Sequence, residues 1–165
     1  MTVLVVGAGP AGLTAALELA RRGVPVTVVD RRPGPSPLSR AVGITPASLD
    51  LLEPSGVADA LLSEGVRYRR LVLHRGARAA ATVPFAEGGG RRAFVLGLPQ
   101  NRTEHHLSAA AVAAGARIRY GRALERLGEA EGEAVVCRFA DGSEERHDYV
   151  VGADGAHSTV RRALG

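Results

Sequence analysis

The chain has no lysine, no tryptophan, a single cysteine and no apolar run long enough to span a bilayer. Each absence removes a class of protein. With no second cysteine there is no internal disulfide framework, so the fold must be held by its core. Cys137, in the strand-like run 134–139, reads as a buried structural thiol of a protein kept in a reducing, cytoplasmic setting. Aromatic residues make up only 4% of the chain, too few to supply a stacking platform for nucleic acid. All 21 basic residues are arginine, for a formal net charge of +4, but acids interrupt them along the chain and no concentrated basic patch is expected. The apolar N-terminus does not read as a secretory signal. No basic residue precedes it, Glu18 interrupts it, and glycines occupy what should be its helical centre. Neither a nucleic-acid nor a membrane partner is therefore expected.

What is present is concentrated in the first thirty residues. Val3-Leu4-Val5-Val6 is a short continuous apolar run, the pattern of a strand buried on both faces of a parallel sheet. Leu13, Ala16, Leu17 and Ala20 then recur at helical spacing and form one apolar stripe. Gly23 and Pro25 end that helix, and Val26-Thr27-Val28-Val29 forms a second strand with Asp30 at its carboxyl end. Between the first strand and the helix lies Gly7-Ala8-Gly9-Pro10-Ala11-Gly12. In a strand–turn–helix setting Gly7 permits the sharp turn, Gly9 lets the backbone approach a pyrophosphate, and Gly12 lets helix and strand pack closely. Pro10 suits the first helical position, where a missing N–H costs nothing. The helix dipole then favours an anion at this end by about 0.3–1 kcal/mol per charge. Asp30 follows at the spacing of an acid that grips a ribose 2′-hydroxyl. Arg31 reads either as a solvated loop charge or as a guanidinium stacked on adenine. The Asp30–Arg31 pair favours an unphosphorylated adenosine ribose, as in FAD or NAD.

Further along, Ser39-Arg40-Ala41-Val42-Gly43-Ile44 leads into helical stretches at about 46–53 and 57–63. Strands are expected at 67–75, 79–85 and 93–96, with a turn at Gly88-Gly89-Gly90. Three strands without a helix break the βαβ rhythm and point to a second sheet. Leu98-Pro99-Gln100 precedes a helix to about Ala114, with Asn101 and Glu104 spaced as a capping box. Residues 116–120 return to the first sheet. Segments 123–127, 134–139 and 144–147 form a three-stranded meander with a turn at Asp141-Gly142. Tyr149-Val150-Val151 reads as a last buried strand, ahead of Gly152-Ala153-Asp154-Gly155-Ala156-His157-Ser158-Thr159-Val160-Arg161.

The glycine turn with its acid and arginine, the SRAVGI segment, the "PQ…TE" segment and the GADGAHSTVR run together resemble the FAD-dependent aromatic hydroxylases of the para-hydroxybenzoate hydroxylase type. That resemblance implies an α/β fold: a Rossmann-like FAD-binding βαβ sheet of the glutathione reductase type, with a three-stranded β-meander and part of a substrate-domain β-sheet. Residues 1–65 and 100–165 would form a discontinuous, incomplete FAD-binding domain, and 66–99 partial substrate-domain strands. By resemblance Arg40 and Gln100 approach the flavin side of FAD, Leu124 lies against the adenine, and Asp154 and Gly155 support the pyrophosphate and the NADPH-side entry. His157 stands where the family usually has arginine. The Arg40, Gln100 and Asp154 trio argues against a simple NAD-dependent oxidoreductase.

The cofactor-binding set is thus Gly7, Gly9, Pro10, Ala11, Gly12, Asp30, Arg31, Arg40, Gln100, Leu124, Asp154 and Gly155. No residue is nominated as a general base, nucleophile or metal ligand. The resemblance implies a monooxygenase with FAD as cofactor, NADPH or NADH as co-substrate, and an aromatic or polyketide-like ring as substrate. It stops at Gly165, before the later "GD" segment of the family. The chain is therefore expected to supply the adenosine and pyrophosphate half of the FAD site and to be inactive alone. A noncatalytic nucleotide-binding or scaffolding remnant is the alternative. Strands at 67–97 are expected to leave open edges and apolar surface, favouring self-association or a complementing C-terminal half.

Overall fold

The computed structural model describes residues 1–37, 41–85, 92–129 and 134–165. In chain order the elements are β1 (Val3–Val6), α1 (Pro10–Ala20), β2 (Val26–Asp30), β3 (Gly43–Ile44), α2 (Pro46–Leu52), α3 (Val57–Glu64), β4 (Val66–Tyr68), β5 (Arg70–Arg75), β6 (Arg78–Pro84), β7 (Val95–Gly97), α4 (Gln100–Ala113), β8 (Arg117–Tyr120), β9 (Leu124–Glu129), β10 (Val135–Phe139), β11 (Glu144–His147), β12 (Tyr149–Gly152) and α5 (Thr159–Leu164). They form two compact units, Met1–Leu38 with Thr103–Gly165, and Ser39–Arg102.

The first unit carries a parallel sheet in the order β12-β1-β2-β8. β1 is buried at every position because it has a strand on each side and a layer on each face. Leu4 and Val6 share one core with Val29, Leu124, Cys137, Phe139 and Val160, which is how the antiparallel meander β11-β10-β9 covers one side of the sheet. By strand alternation Val3 and Val5 project to the other face. There α1 buries Leu13, Ala16, Leu17 and Ala20, the stripe expected from helical spacing. Gly23 closes α1, with its N–H donating to Ala20 and that of Val24 to Leu19.

The second unit holds α2, α3, a small sheet in the order β3-β7-β4, and the β5–β6 hairpin. Residues 41–65 belong to this unit, where β3 pairs with β7.

Three expectations are corrected. The strand expected over 67–75 is two strands, since the chain leaves the β7 sheet after Tyr68 and pairs with β6 from Arg70 onward. β12 is an edge strand, with Tyr149 60% exposed and Val150 and Val151 only half-buried, because no described strand lies beyond it. Asn101 does not open α4. The helix starts at Gln100, Asn101 lies inside it, and its Oδ1 accepts the N–H of Arg102 while Glu104 turns inward. The expected turn at 88–90 lies outside the described residues.

Candidate functional site

The turn from β1 into α1 is shaped by three glycines that serve different ends. Gly7 has φ +108°, and a Cβ there would lie 2.3 Å from the Ala153 carbonyl oxygen. A Cβ on Gly12 would lie 1.9 Å from the Gly7 carbonyl oxygen. The protein's own packing therefore requires both. Gly9 is different: its φ of −83° and ψ of 179° are open to any residue, and a Cβ there would meet no described protein atom within 4 Å. It faces open space at the N-terminus of α1, where Pro10 starts the helix and no side chain caps it. Backbone N–H groups and the positive end of the helix dipole are left for an anion. This cradle, which a side chain at position 9 would fill, fits the pyrophosphate expected there. Ala11, the next residue of the turn, is exposed.

Asp30 sits beside the turn and is 8% exposed. Its Oδ2 accepts the Ala8 N–H at 2.8 Å and Arg32 Nη2 at 2.9 Å. Its Oδ1 accepts the Arg32 N–H at 2.9 Å and Nε at 3.0 Å. Burial pushes the carboxyl up, but these donors outweigh it and hold Asp30 below the usual carboxylate range. Arg32 Nη2 also donates to the Ala8 carbonyl at 3.0 Å, tying the loop after β2 to the glycine turn. On its far side Nη1 lies 3.5 Å from Oε2 of Glu104, which is only 4% exposed. Burial pushes the Tyr120 phenol up; nearby Arg32 opposes this, and Asp30 and Glu104 add to it.

The sequence points to Arg31 at this corner, whereas the structure leaves Arg31 exposed and turns Arg32 inward. Glu104 is spaced in the sequence as half of a cap. The signal that could have found it was present: Glu104 falls in the buried stripe Thr103, Glu104, Leu107 and Ala111 of α4, and a carboxylate on the buried side of a helix requires a cation.

The second motif meets the first through strand pairing. β12 lies in register with β1, so the Ala153 N–H donates to Val6 at 2.8 Å and the Ala153 carbonyl backs onto Gly7. Asp154 is then used by its own turn. Oδ1 accepts the Ser158 hydroxyl at 2.5 Å, and Oδ2 accepts the N–H groups of Thr159 at 2.6 Å and Val160 at 3.3 Å. Burial raises the carboxyl, and these bonds outweigh it and lower it. Gly155 has φ +81°, which completes the turn.

The structure thus groups Gly7–Gly12, Asp30, Asp154 and Gly155 in one unit. Gln100, half-buried, opens α4 and belongs to the other unit. Leu124 puts its side chain into the core against Cys137 and Phe139. Arg40 lies outside the described residues. The Cys137 thiol is fully buried and pushed up to about 11 by burial, with the charge of Glu145 adding, so it is inert. Among the described residues no group of three His, Cys, Asp or Glu could hold a metal, and no helix is long and apolar enough to cross a membrane.

A family model described as "FAD binding domain" matches residues 1–165. Rifampicin monooxygenase of Streptomyces venezuelae is 39% identical over 164 residues, which cover 99% of this chain and 33% of that protein. Aklavinone 12-hydroxylase RdmE of Streptomyces purpurascens is 39% identical over 188 residues, covering 99% of this chain and 34% of its own. The crystal structure of p-nitrophenol 4-monooxygenase PnpA from Pseudomonas putida DLL-E4 superposes with a TM-score of 0.91 at 28% identity, over 99% of this chain and 44% of that one. The chain spans about a third of the length of the curated relatives it matches.

Proposed function

Because this chain belongs to the FAD binding domain family, we propose that its glycine turn and Asp30 hold the adenosine and pyrophosphate half of FAD in a monooxygenase that hydroxylates an aromatic or polyketide-like ring, with NADPH or NADH as reductant. The observation that carries this reading is Gly9: the protein's own packing gives no reason for glycine there, and a diphosphate at the α1 N-terminus does. FAD, when bound, supplies the redox chemistry. The chain's residues place it. The N–H groups at the start of α1 receive the pyrophosphate, the Asp30 corner receives the adenosine ribose, and Asp154 acts at one remove by rigidifying the turn that backs Gly7. By the family resemblance, Arg40 and Gln100 are the candidates for the flavin half of FAD. The reduced, buried Cys137 agrees with a cytoplasmic site of action.

A complementing segment covers the β5–β6 hairpin in this reading, since every residue of both strands is exposed. Self-association is the weaker alternative, because residues 66–85 carry five arginines and no acid, and two copies would bring like charges together.

The test is titration with FAD by flavin fluorescence and calorimetry, with NAD as control. Saturable FAD binding is expected, weakened about tenfold or more by Gly9→Val at an unchanged melting temperature, since a Cβ at position 9 meets no described protein atom and would intrude on the space the pyrophosphate takes in this reading. Equal affinity for NAD, or a Gly9→Val variant that binds FAD like the parent, would overturn the assignment.

A further inference from the structure

The Asp30 carboxylate already accepts four hydrogen bonds, from the Ala8 N–H and from the Arg32 N–H, Nε and Nη2. A carboxylate offers about four lone-pair sites, so its capacity is filled. A ribose hydroxyl cannot simply be added. The two backbone donors are fixed by the glycine turn and by the chain direction after β2. The two guanidinium donors belong to a side chain and can be exchanged. The guanidinium also has a second anchor in place, Glu104 Oε2, 3.5 Å from Nη1 and on a different element from Asp30. A carboxylate as buried as Glu104 is costly without a cation nearby, so it holds the arginine close whether or not Asp30 does.

We propose that Arg32 occupies the ribose position on Asp30 in the free protein, and that Glu104 is the positioning residue that draws the guanidinium aside when the adenosine ribose binds. The inference rests on the nucleotide site proposed above and adds what sets its ribose specificity. Glu104 touches no ligand in this scheme. It acts through Arg32, by making release of Asp30 affordable. A ligand lacking the 2′-hydroxyl gains less from displacing Arg32, so discrimination between ribose and 2′-deoxyribose depends on Glu104.

The experiment measures ADP and 2′-deoxy-ADP affinities for the parent chain, Glu104→Gln, Arg32→Met and the double variant, with FAD affinity and melting temperature alongside. The expected result is a ribose preference in the parent that falls about five- to tenfold in Glu104→Gln, the scale of one ordinary hydrogen bond. In the Arg32→Met background Glu104→Gln changes that preference no further. A role for Glu104 in stability alone lowers the melting temperature and weakens both ligands equally; an unchanged preference would therefore overturn the inference while leaving the nucleotide site intact. An equal effect of Glu104→Gln with and without Arg32 overturns it as well. A parent chain that binds neither FAD nor ADP removes the underlying site, and the inference with it.

Discussion

The two units differ in how they bury strands of similar apolar content. β1 and β2 are buried at all but one of their positions, whereas β5 and β6 are exposed at every position, although Leu71, Val72, Leu73 and Val83 lie in the hairpin. The difference lies in layers. β1 and β2 have strands on both sides, α1 over one face and the meander over the other, whereas among the described residues β5 and β6 have only each other. An isolated two-stranded ribbon is marginal in water, so an apolar sequence does not by itself make a core. The nucleotide unit carries its own cover, and among the described residues nothing covers the hairpin.

The largest effect expected is at the tightest point of the self-covered unit. Gly12→Ala puts a Cβ 1.9 Å from a backbone oxygen of Gly7, which no rotamer can relieve, so the turn itself must move. A loss of about 3 kcal/mol or more in denaturant unfolding is expected, together with loss of nucleotide binding. A Gly12→Ala chain as stable as the parent would break the contrast, because it would show the nucleotide unit to be as loosely built as the hairpin.

How much of this could be read in the sequence follows the same division. The β1–α1–β2 unit was legible because periodicity and burial coincide there. Leu13, Ala16, Leu17 and Ala20 are apolar at helical spacing and all are buried. The meander and its Asp141-Gly142 turn were legible for the same reason. The break at Arg69 was not, since a change of sheet partner leaves the alternation of a strand intact. Nor was the choice between Arg31 and Arg32: adjacent identical residues differ only in which way the chain turns after Asp30. The even spread of arginine over the whole chain also concealed the acid-free stretch 66–85 that coincides with the uncovered hairpin.

An intermediate effect is expected at Asp154, whose bonds to Ser158, Thr159 and Val160 tie the turn behind Gly7 to α5. Replacing a capping carboxylate costs about 1 kcal/mol at neutral pH. The pH dependence has a definite sign. Asp154 titrates lower in the folded chain than its ordinary value of 3.8. Its ionised form is therefore favoured by folding, and its stabilisation is complete above that ordinary value and lost as pH falls through the lowered folded one. The stability gap between the parent and Asp154→Asn should be widest at neutral pH and shrink on acidification below about pH 4. A gap that stays constant through that range would show that Asp154 contributes by packing alone.

The smallest effect is expected in the hairpin. Leu71 and Leu73 are 47% and 49% exposed, so replacing either with Ser removes little buried area from the chain alone. A change within about 0.5 kcal/mol is expected in thermal or denaturant unfolding, the range of surface substitutions. The same substitutions should cost several times more once a complementing segment lies over β5 and β6, because the side chains would then be buried in both strands' shared face. A large loss in the chain alone would mean that the hairpin is already covered. Only a second copy could be covering it under those conditions, against the repulsion of the arginines, and a melting temperature that rises with protein concentration would identify that cover by mass action.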